Sequence, residues 1–480
     1  MRVYFLNKFE QVLNKQMNCG LLFLRCFNPD FYFPKFMSKY PLIIISLWLN
    51  IAFGQTGAST LPPVFHANST HTGFYTGKNY TSFGGLKWKF KSKGKIFSSP
   101  AISKGIAYFG SEDHNLYAID IKTGKQLWTF TTGGAVSSSP AVFNAMVYFG
   151  SFDGYCYALN SKTGALVWKF KTGGEKKVGA KGLWTMKPRD QYMVDLYDFF
   201  LSSPVFDVNN HYVYFGSGDG NLYALDAVNG KVKWAFKTKG LIHTSPALYS
   251  GKLYFGSWDT YMCAVDASTG KLVWKFKTGD QPVVHLMEGI QASALCANGL
   301  IYFGARDGYF YALNAATGKL AWKYSANGSW ILATAAIKDD IVCTGTSDTF
   351  LFLAFDAKTG KQKFKFKANG YIYSSPAIAG NTAFFGDFTG KLFAINLISG
   401  KQTGKFTTKG RDLNAGKLLN KDTLDYNSLS KGKNNELYSS SVIIMNELYT
   451  LGPIVSSPVI DKGVVYFGSA DGYLYAVSLK

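Results

Sequence analysis

Cysteine is scarce in this chain of 480 residues and badly placed for chemistry: there are six, with no Cys-x-x-Cys and no adjacent pair. Neither a disulfide framework nor a zinc signature follows from that spacing. Cys19 and Cys26 lie near the N-terminus, while Cys156, Cys263, Cys296 and Cys343 fall on predicted strands and read as buried thiols. No P-loop and no Ser-His-Asp order occurs. Acid is short as well, with 30 Asp and Glu against 51 Lys and Arg, a formal charge of +21. The repetitive body lacks the 3.6-residue period of helices. The apolar run from Pro41 to Phe53 is interrupted only by Ser46 and Asn50, and is too short for a comfortable membrane span.

What is present is a repeat. An aromatic-Gly step recurs at Phe109-Gly110, Phe149-Gly150, Phe215-Gly216, Phe255-Gly256, Phe303-Gly304, Phe385-Gly386 and Phe467-Gly468, with a degenerate copy at Thr344-Gly345. Where no insertion intervenes the glycines are 40 or 41 residues apart, the length of one four-stranded propeller blade. In the first unit, Ser98 to Ile102, Ala107 to Gly110, Leu116 to Asp120 and Leu127 to Phe130 read as four strands. The Lys122-Thr123-Gly124-Lys125 turn supplies a glycine for a tight hairpin. The eighth unit stops after its third strand, at Tyr475-Ala476-Val477, and residues 86–90 (Leu-Lys-Trp-Lys-Phe) match the missing fourth. The prediction is an all-β, eight-bladed propeller of four-stranded antiparallel blades over 86–480, its last blade closed by an N-terminal strand that leaves no open edge.

The spacing Ala-x-Asp-x-x-x-Gly-x-x-x-Trp, as in Ala118, Asp120, Gly124 and Trp128, resembles the tryptophan-docking motif of the PQQ-like repeat, or quinoprotein, propellers. It recurs at Ala224, Asp226, Gly230, Trp234 and at Ala264, Asp266, Gly270, Trp274; Trp168 and Trp322 end copies with Asn for Asp, and Trp88 sits on the closing strand. Phe364 and Gly404 replace the indole in the sixth and seventh units. The resemblance implies that these tryptophans pack between blades, as their large buried area also suggests. Alcohol- and sugar-oxidising members of the family hold PQQ and Ca²⁺ in the funnel, the former typically under vicinal cysteines. This chain has no such pair and no matching Glu/Asn/Asp calcium set, and its inner strands offer Ser, Ala, Thr and Pro. No cofactor is therefore expected, with PQQ and Ca²⁺ as the alternative. The chain is also similar to the propeller subunit of the outer-membrane β-barrel assembly machinery.

Outside the ring, residues 1–36 read as an over-called start or a non-folding extension, and 37–54 as a signal peptide ending in Ala52-Phe53-Gly54. Gln55 follows, so a lipoprotein anchor is not supported. Residues 55–85 read as a loosely packed linker. The first 54 residues hold six Lys or Arg and two Asp or Glu, which leaves about +17 on the rest. Much of that charge alternates with aromatics on outer strands, as at Lys89 and Lys91, Lys169 and Lys171, Lys275 and Lys277, Lys365 and Lys367. Such lysines point away from the core and protect edges; they also suit an acidic surface or partner.

Three insertions, 173–200, 279–291 and 407–452, each join an outer strand to the next inner strand and so emerge on one face. Loops on a rigid scaffold favour binding. The candidate face comprises Trp184, Lys187, Arg189, Asp190, Tyr192 and Asp195 of the first, His285 and Glu288 of the second, Arg411 of the third, and His243, Trp330 and Tyr373 at inner-strand starts. His285 and Glu288 are three apart, but with no further ligand no metal is expected. The functional expectation is an exported, monomeric binding or scaffold protein of the periplasm or cell envelope. It has no membrane span in the mature chain, and it meets a protein partner or an anionic envelope polymer, not nucleic acid. The alternatives are a PQQ-dependent alcohol or sugar dehydrogenase and a carbohydrate-binding protein.

Overall fold

The computed structural model describes residues 63–279 and 289–480. Short aromatic runs broken by Asp-Gly and Thr-Gly turns make eight antiparallel blades. Blade 1 runs from Ala101–Ser103 on the inside through Ile106–Gly110 and Asn115–Asp120 to Gln126–Thr131 on the outside. Blades 2 to 7 repeat this order over 141–171, 205–237, 247–277, 295–325, 336–367 and 377–407. Blade 8 takes its three inner strands from the C-terminus and its outer strand, Phe83–Lys91, from the N-terminal side, with Trp88 opposite Ala476. The predicted closure is thus found, with the strand beginning three residues earlier.

The Ser-Ser-Pro starts of the inner strands form a belt. The Ser99 N–H donates to Ser139 Oγ at 2.9 Å, Ser139 to Ser203 at 3.0 Å, Ser203 to Ser245 at 3.0 Å and Ser245 to Ser293 at 2.8 Å. Ser293 donates to Thr334 at 3.2 Å and Thr334 to Ser375 at 3.0 Å, and Ser457 closes onto Ser99 at 2.8 Å. The preceding hydroxyls turn back into their own blade, accepting from the glycine of the aromatic-Gly step: Gly110 to Ser98 at 3.1 Å, Gly216 to Ser202 at 2.8 Å. These pairings satisfy buried main-chain N–H groups that strands this short leave over.

On the outside, the indole N–H of each of six blades donates to a carbonyl of the next. Trp88 reaches Ile121 at 2.8 Å, Trp128 reaches Ser161 at 3.1 Å and Trp168 reaches Ala227 at 3.0 Å. Trp234, Trp274 and Trp322 do the same to Ala267, Ala315 and Ala357 at 3.1, 2.9 and 3.0 Å. Each ring lies on the hairpin glycine of the neighbouring blade: a Cβ on Gly270 would come within 2.6 Å of Trp234. Where Gly404 stands in the seventh blade, Ser82 and Phe83 fill the space, and Phe83 packs on Phe384 at 5.6 Å. The seam is therefore sealed by the chain that closes the ring. The outer-strand lysines are exposed as expected, and Lys169, Lys275 and Lys323 lie 4.7, 4.7 and 4.4 Å from the rings of Tyr155, Tyr261 and Tyr309. The four described cysteines are free and buried.

A loose linker does not describe residues 63–85. They thread across the face opposite the insertions, where Val142, Leu248, Cys296, Ile337 and Ile378 donate main-chain hydrogen bonds to Pro63, Ser69, Thr70, Thr72 and Gly73 at 2.7–2.9 Å. Phe74–Tyr75 then adds a parallel strand to the inside of blade 7. His66 and His71 are buried there against the carbonyls of Pro376 and Ala294 at 2.8 and 2.9 Å. Burial lowers their pKa values to about 4 and about 3, the second with help from the neighbouring His66. The unpaired inner edges of five blades explain why this segment is held: they offer N–H donors, and its main-chain carbonyls at Pro63, Ser69, Thr70, Thr72 and Gly73 supply acceptors. The central channel is consequently shut. Phe65 from this side and Phe200 from the other leave a void of about 20 Å³ ringed by the serine belt.

Candidate functional site

The first and third insertions build one cap over the other end of the channel. In the first, Gly179–Lys181 and Tyr192–Val194 form a hairpin. The third contains three helices that the sequence reading missed: α1 (Lys409–Leu418), α2 (Tyr426–Ser430) and α3 (Tyr438–Tyr449). The two insertions meet through main chain. Tyr438 N–H donates to Lys187 O at 3.1 Å, the Lys187 N–H donates to Glu436 O, and Tyr438 Oη donates to Val194 O at 2.8 Å. The Lys187 ammonium pairs with Glu436. Below, Phe199 fills the funnel, 5.2 Å from Phe97 of blade 1, 5.6 Å from Tyr373 and 6.1 Å from Phe388 of blade 7. Ile444, Met445 and Leu448 of α3 bury against the same cluster.

Between cap and channel lies a layer of buried charge. Asp195 Oδ2 pairs with Arg306 Nη1 at 2.6 Å, both side chains fully enclosed. Arg306 also donates to Gln291 Oε1 at 2.6 and 3.1 Å and is sandwiched by Trp258 and Trp330, 4.6 and 4.3 Å from the ring centres. Burial pushes the Asp195 carboxyl up, against the pull of Arg306. Asp198 Oδ1 accepts from His243 Nδ1 at 2.9 Å, and its other oxygen accepts the Val178 N–H at 2.8 Å. The remaining imidazole nitrogen has no hydrogen-bond partner and faces Glu175 at 3.9 Å. Burial raises the Glu175 carboxyl to about 7. Burial alone would lower His243, but Asp198 and Glu175 together raise it above its ordinary value.

Next to this layer is a cavity of about 590 Å³. Trp184, Tyr197, Trp330, Tyr371, Tyr373 and Tyr426 give it an aromatic wall, with Met186 and Met445 from the two insertions. Tyr197 is the hub, 5.8 Å from Trp184, 6.0 Å from Trp330 and Tyr373, and 6.1 Å from Tyr371. Among the described residues, Asp348 is the one charged residue of the lining.

The predicted face thus divides. Trp184, Trp330 and Tyr373 come together on the cavity wall; Asp195 and His243 lie beneath it; Lys187, Arg189, Asp190 and Tyr192 are exposed on the cap. Arg411 belongs to none of these: it is buried in α1, donating to Thr389 O at 2.6 Å and pairing with Asp422. His285 and Glu288 lie outside the described residues. The sequence reading passed over Glu175, Arg306, Asp348 and Tyr426. A signal existed for Arg306. Blades share a Ser-x-Asp turn whose second position changes freely, as Glu112, Phe152, Gly218 and Trp258, and Arg306 and Phe388 hold the same place. That position points into the funnel. The turn aspartates themselves are structural: Tyr157 and Tyr223 donate to Asp153 and Asp219 at 2.6 Å, and the Gly133 N–H of the preceding blade reaches Asp153 at 2.8 Å.

Among the described residues no group of three His, Cys, Asp or Glu is arranged to hold a metal, and no helix is long and apolar enough to cross a membrane. The fold is shared with solved structures at low identity. BamB from Moraxella catarrhalis matches with a TM-score of 0.59 and 15% identity, over 82% of this chain and 99% of that one. Quinohemoprotein alcohol dehydrogenase from Comamonas testosteroni matches at 0.65 and 14%, over 88% and 81%. A europium-containing methanol dehydrogenase matches at 0.64 and 14%, over 88% and 98%. By sequence, the beta-alanine-activating enzyme of Danio rerio is 44% identical over 52 residues, which is 11% of this chain and 4% of that protein. The family described as outer membrane protein assembly factor BamB matches residues 81–182, 179–296 and 285–480. This eight-bladed ring of PQQ-like repeats, closed by its own N-terminal strand, belongs to that family.

Proposed function

We propose that this chain is an exported protein of the cell envelope that works by binding, as a monomeric scaffold, and that the cap formed by its insertions is where it meets a protein partner or ligand. The observation that carries this reading is the joining of the two insertions. Residues 173–200 and 407–452 add nothing to the blades, yet they are ordered against each other by main-chain hydrogen bonds and a shared core. Ordering costs about 1–2 kcal/mol per residue in backbone entropy, and long insertions in compact folds are retained where a surface is used. The family match to an outer-membrane assembly factor supports the envelope setting.

A quinone cofactor is not part of this proposal. PQQ is a tricarboxylate and calls for cations and, with Ca²⁺, for six to eight oxygen ligands. Among the described residues the cavity lining holds no Lys or Arg and one carboxylate, and Arg306 is already committed to Asp195 and Gln291. Carboxylates and an arginine do converge in the funnel, but they neutralise one another.

The test is site-directed photo-cross-linking in the intact envelope. A photoreactive residue at Arg189 or Asp190, exposed on the cap, is expected to capture a discrete partner. The same residue at Val228, 71% exposed on a hairpin of the opposite rim, is expected to capture none. Equal capture from both rims, or capture from Val228 alone, refutes the assignment.

A further inference from the structure

We propose that the aromatic cavity under the cap binds an organic cation, a ligand bearing an ammonium group. The proposal rests on reading the cap as a binding surface and names the class of ligand that surface takes.

Charge makes the first argument. The chain carries 51 Lys and Arg, yet among the described residues the cavity lining contains none, and Asp348 is its only charged residue. The site is a negative spot in a strongly positive protein. Asp348 accepts one hydrogen bond at Oδ2, from Ser347 Oγ at 2.7 Å, and is exposed at the cavity edge, so its charge is free to pair with an arriving cation. Arg306 lies behind Trp330, where its charge is cancelled by Asp195 at 2.6 Å.

Chemistry of the wall makes the second. Six aromatic rings from two insertions and the starts of two blades are brought to one cavity, and ring faces attract cations through their quadrupole, the more so when water is excluded. Burial pushes the phenols of Tyr197, Tyr371 and Tyr373 up, so all three stay neutral, polarisable walls. The unpartnered indole N–H of Trp184 is left to meet a polar atom on the same ligand. An anion finds no cationic side chain among the described lining residues. A neutral sugar would use the hydroxyls but leave Asp348 without a role.

The probes are choline and its uncharged isostere 3,3-dimethylbutan-1-ol, titrated calorimetrically into the purified protein. Choline is expected to bind at least about tenfold more tightly than the alcohol, the contribution of one or two cation–π contacts and a carboxylate. Asp348→Asn is expected to weaken choline several-fold and leave the alcohol unchanged, and Asp348→Glu to restore choline binding. Because Asp348 is exposed, neither variant threatens the fold. Equal affinity for the two probes overturns the proposal in favour of a merely apolar cavity. Binding of neither, binding of glucose in place of choline, or indifference of choline affinity to Asp348→Asn overturns it as well. If cap-directed cross-links persist while choline fails, the ligand class falls and the binding surface stands; if the cross-links also vanish, both fall.

Discussion

The buried pair of Asp195 and Arg306 makes a quantitative prediction about what holds the first insertion in the funnel. The pair is 2.6 Å apart with both side chains fully enclosed, so neither charge has water to fall back on. Breaking such a pair by removing one partner costs about 3–5 kcal/mol, mostly the penalty of leaving the other charge unpaired. Asp195→Asn keeps the shape and removes the charge; Arg306→Met keeps much of the packing between Trp258 and Trp330 and strands Asp195 and Gln291. Unfolding entropy is roughly 2.1 cal/mol/K per residue. For a ring of about 400 residues, each single variant should lower Tm by ~3–6 °C. The double variant should lose much less than the sum, since it buries no uncompensated charge. Calorimetric melting of the four proteins reads both quantities. Single variants that melt within ~1 °C of wild type, or a double variant that loses the full sum, would refute the account of Arg306 as the anchor of the cap.

The blade junctions give a second prediction: Trp234→Phe removes the hydrogen bond to Ala267 O at 3.1 Å and should cost about 1 kcal/mol. Gly270→Ala drives a Cβ to 2.6 Å from the same indole at a φ of +70° and should cost more, about 1–3 kcal/mol; chemical denaturation that ranks the two the other way contradicts this packing. A third concerns pH. Glu175 and His243 both hold their protons more tightly folded than unfolded, so stability should fall as pH rises, through 4.5 to about 7 for Glu175 and from 6.5 upward through the folded value for His243. For Glu175 the whole span is worth up to ~3 kcal/mol, and Glu175→Gln should flatten that part of the wild-type curve of denaturation midpoint against pH; an unchanged slope sinks the assignment.

The ring was legible because each blade repeats the same demands. Seven aromatic-Gly steps with one degenerate copy, a recurring hairpin glycine and a recurring Trp are local rules stated many times over, and the unmatched strand at 86–90 had one place to go. The cap was not legible because its rules are stated once. Ser441, Ile444, Met445 and Leu448 do follow a helical stripe, but it is a single stripe after a polar stretch rich in Asn and Lys. The threading of 63–75 was hidden for a different reason. Its contacts are made by main-chain carbonyls, which leave no mark on side-chain pattern, so a Gly-, Ser- and Thr-rich segment reads as a linker. Arg306 was recoverable only by comparing the repeats position by position, since it stands where the turn tolerates any residue.

A propeller closes its ring with little use for the ends of its channel, and this chain spends both. One end is taken by residues 63–75, which satisfy inner-edge donors of five blades, and the other by Phe199 and Phe200, so no path runs through the ring. The charged groups beneath the cap are turned on one another: Asp195 on Arg306, Asp198 on His243. What remains open is displaced sideways, to a cavity whose wall is shared by insertion and blade, Trp184 and Met186 facing Trp330 and Tyr373. A site of that construction depends on the cap being in place. Any variant that loosens the Asp195–Arg306 anchor should therefore lower affinity at the cavity even though neither residue lines it. Titrating choline into Asp195→Asn below its melting temperature tests the link: wild-type affinity in a destabilised protein would mean that the wall is set by the blades alone, and that the charged layer serves stability without shaping the site.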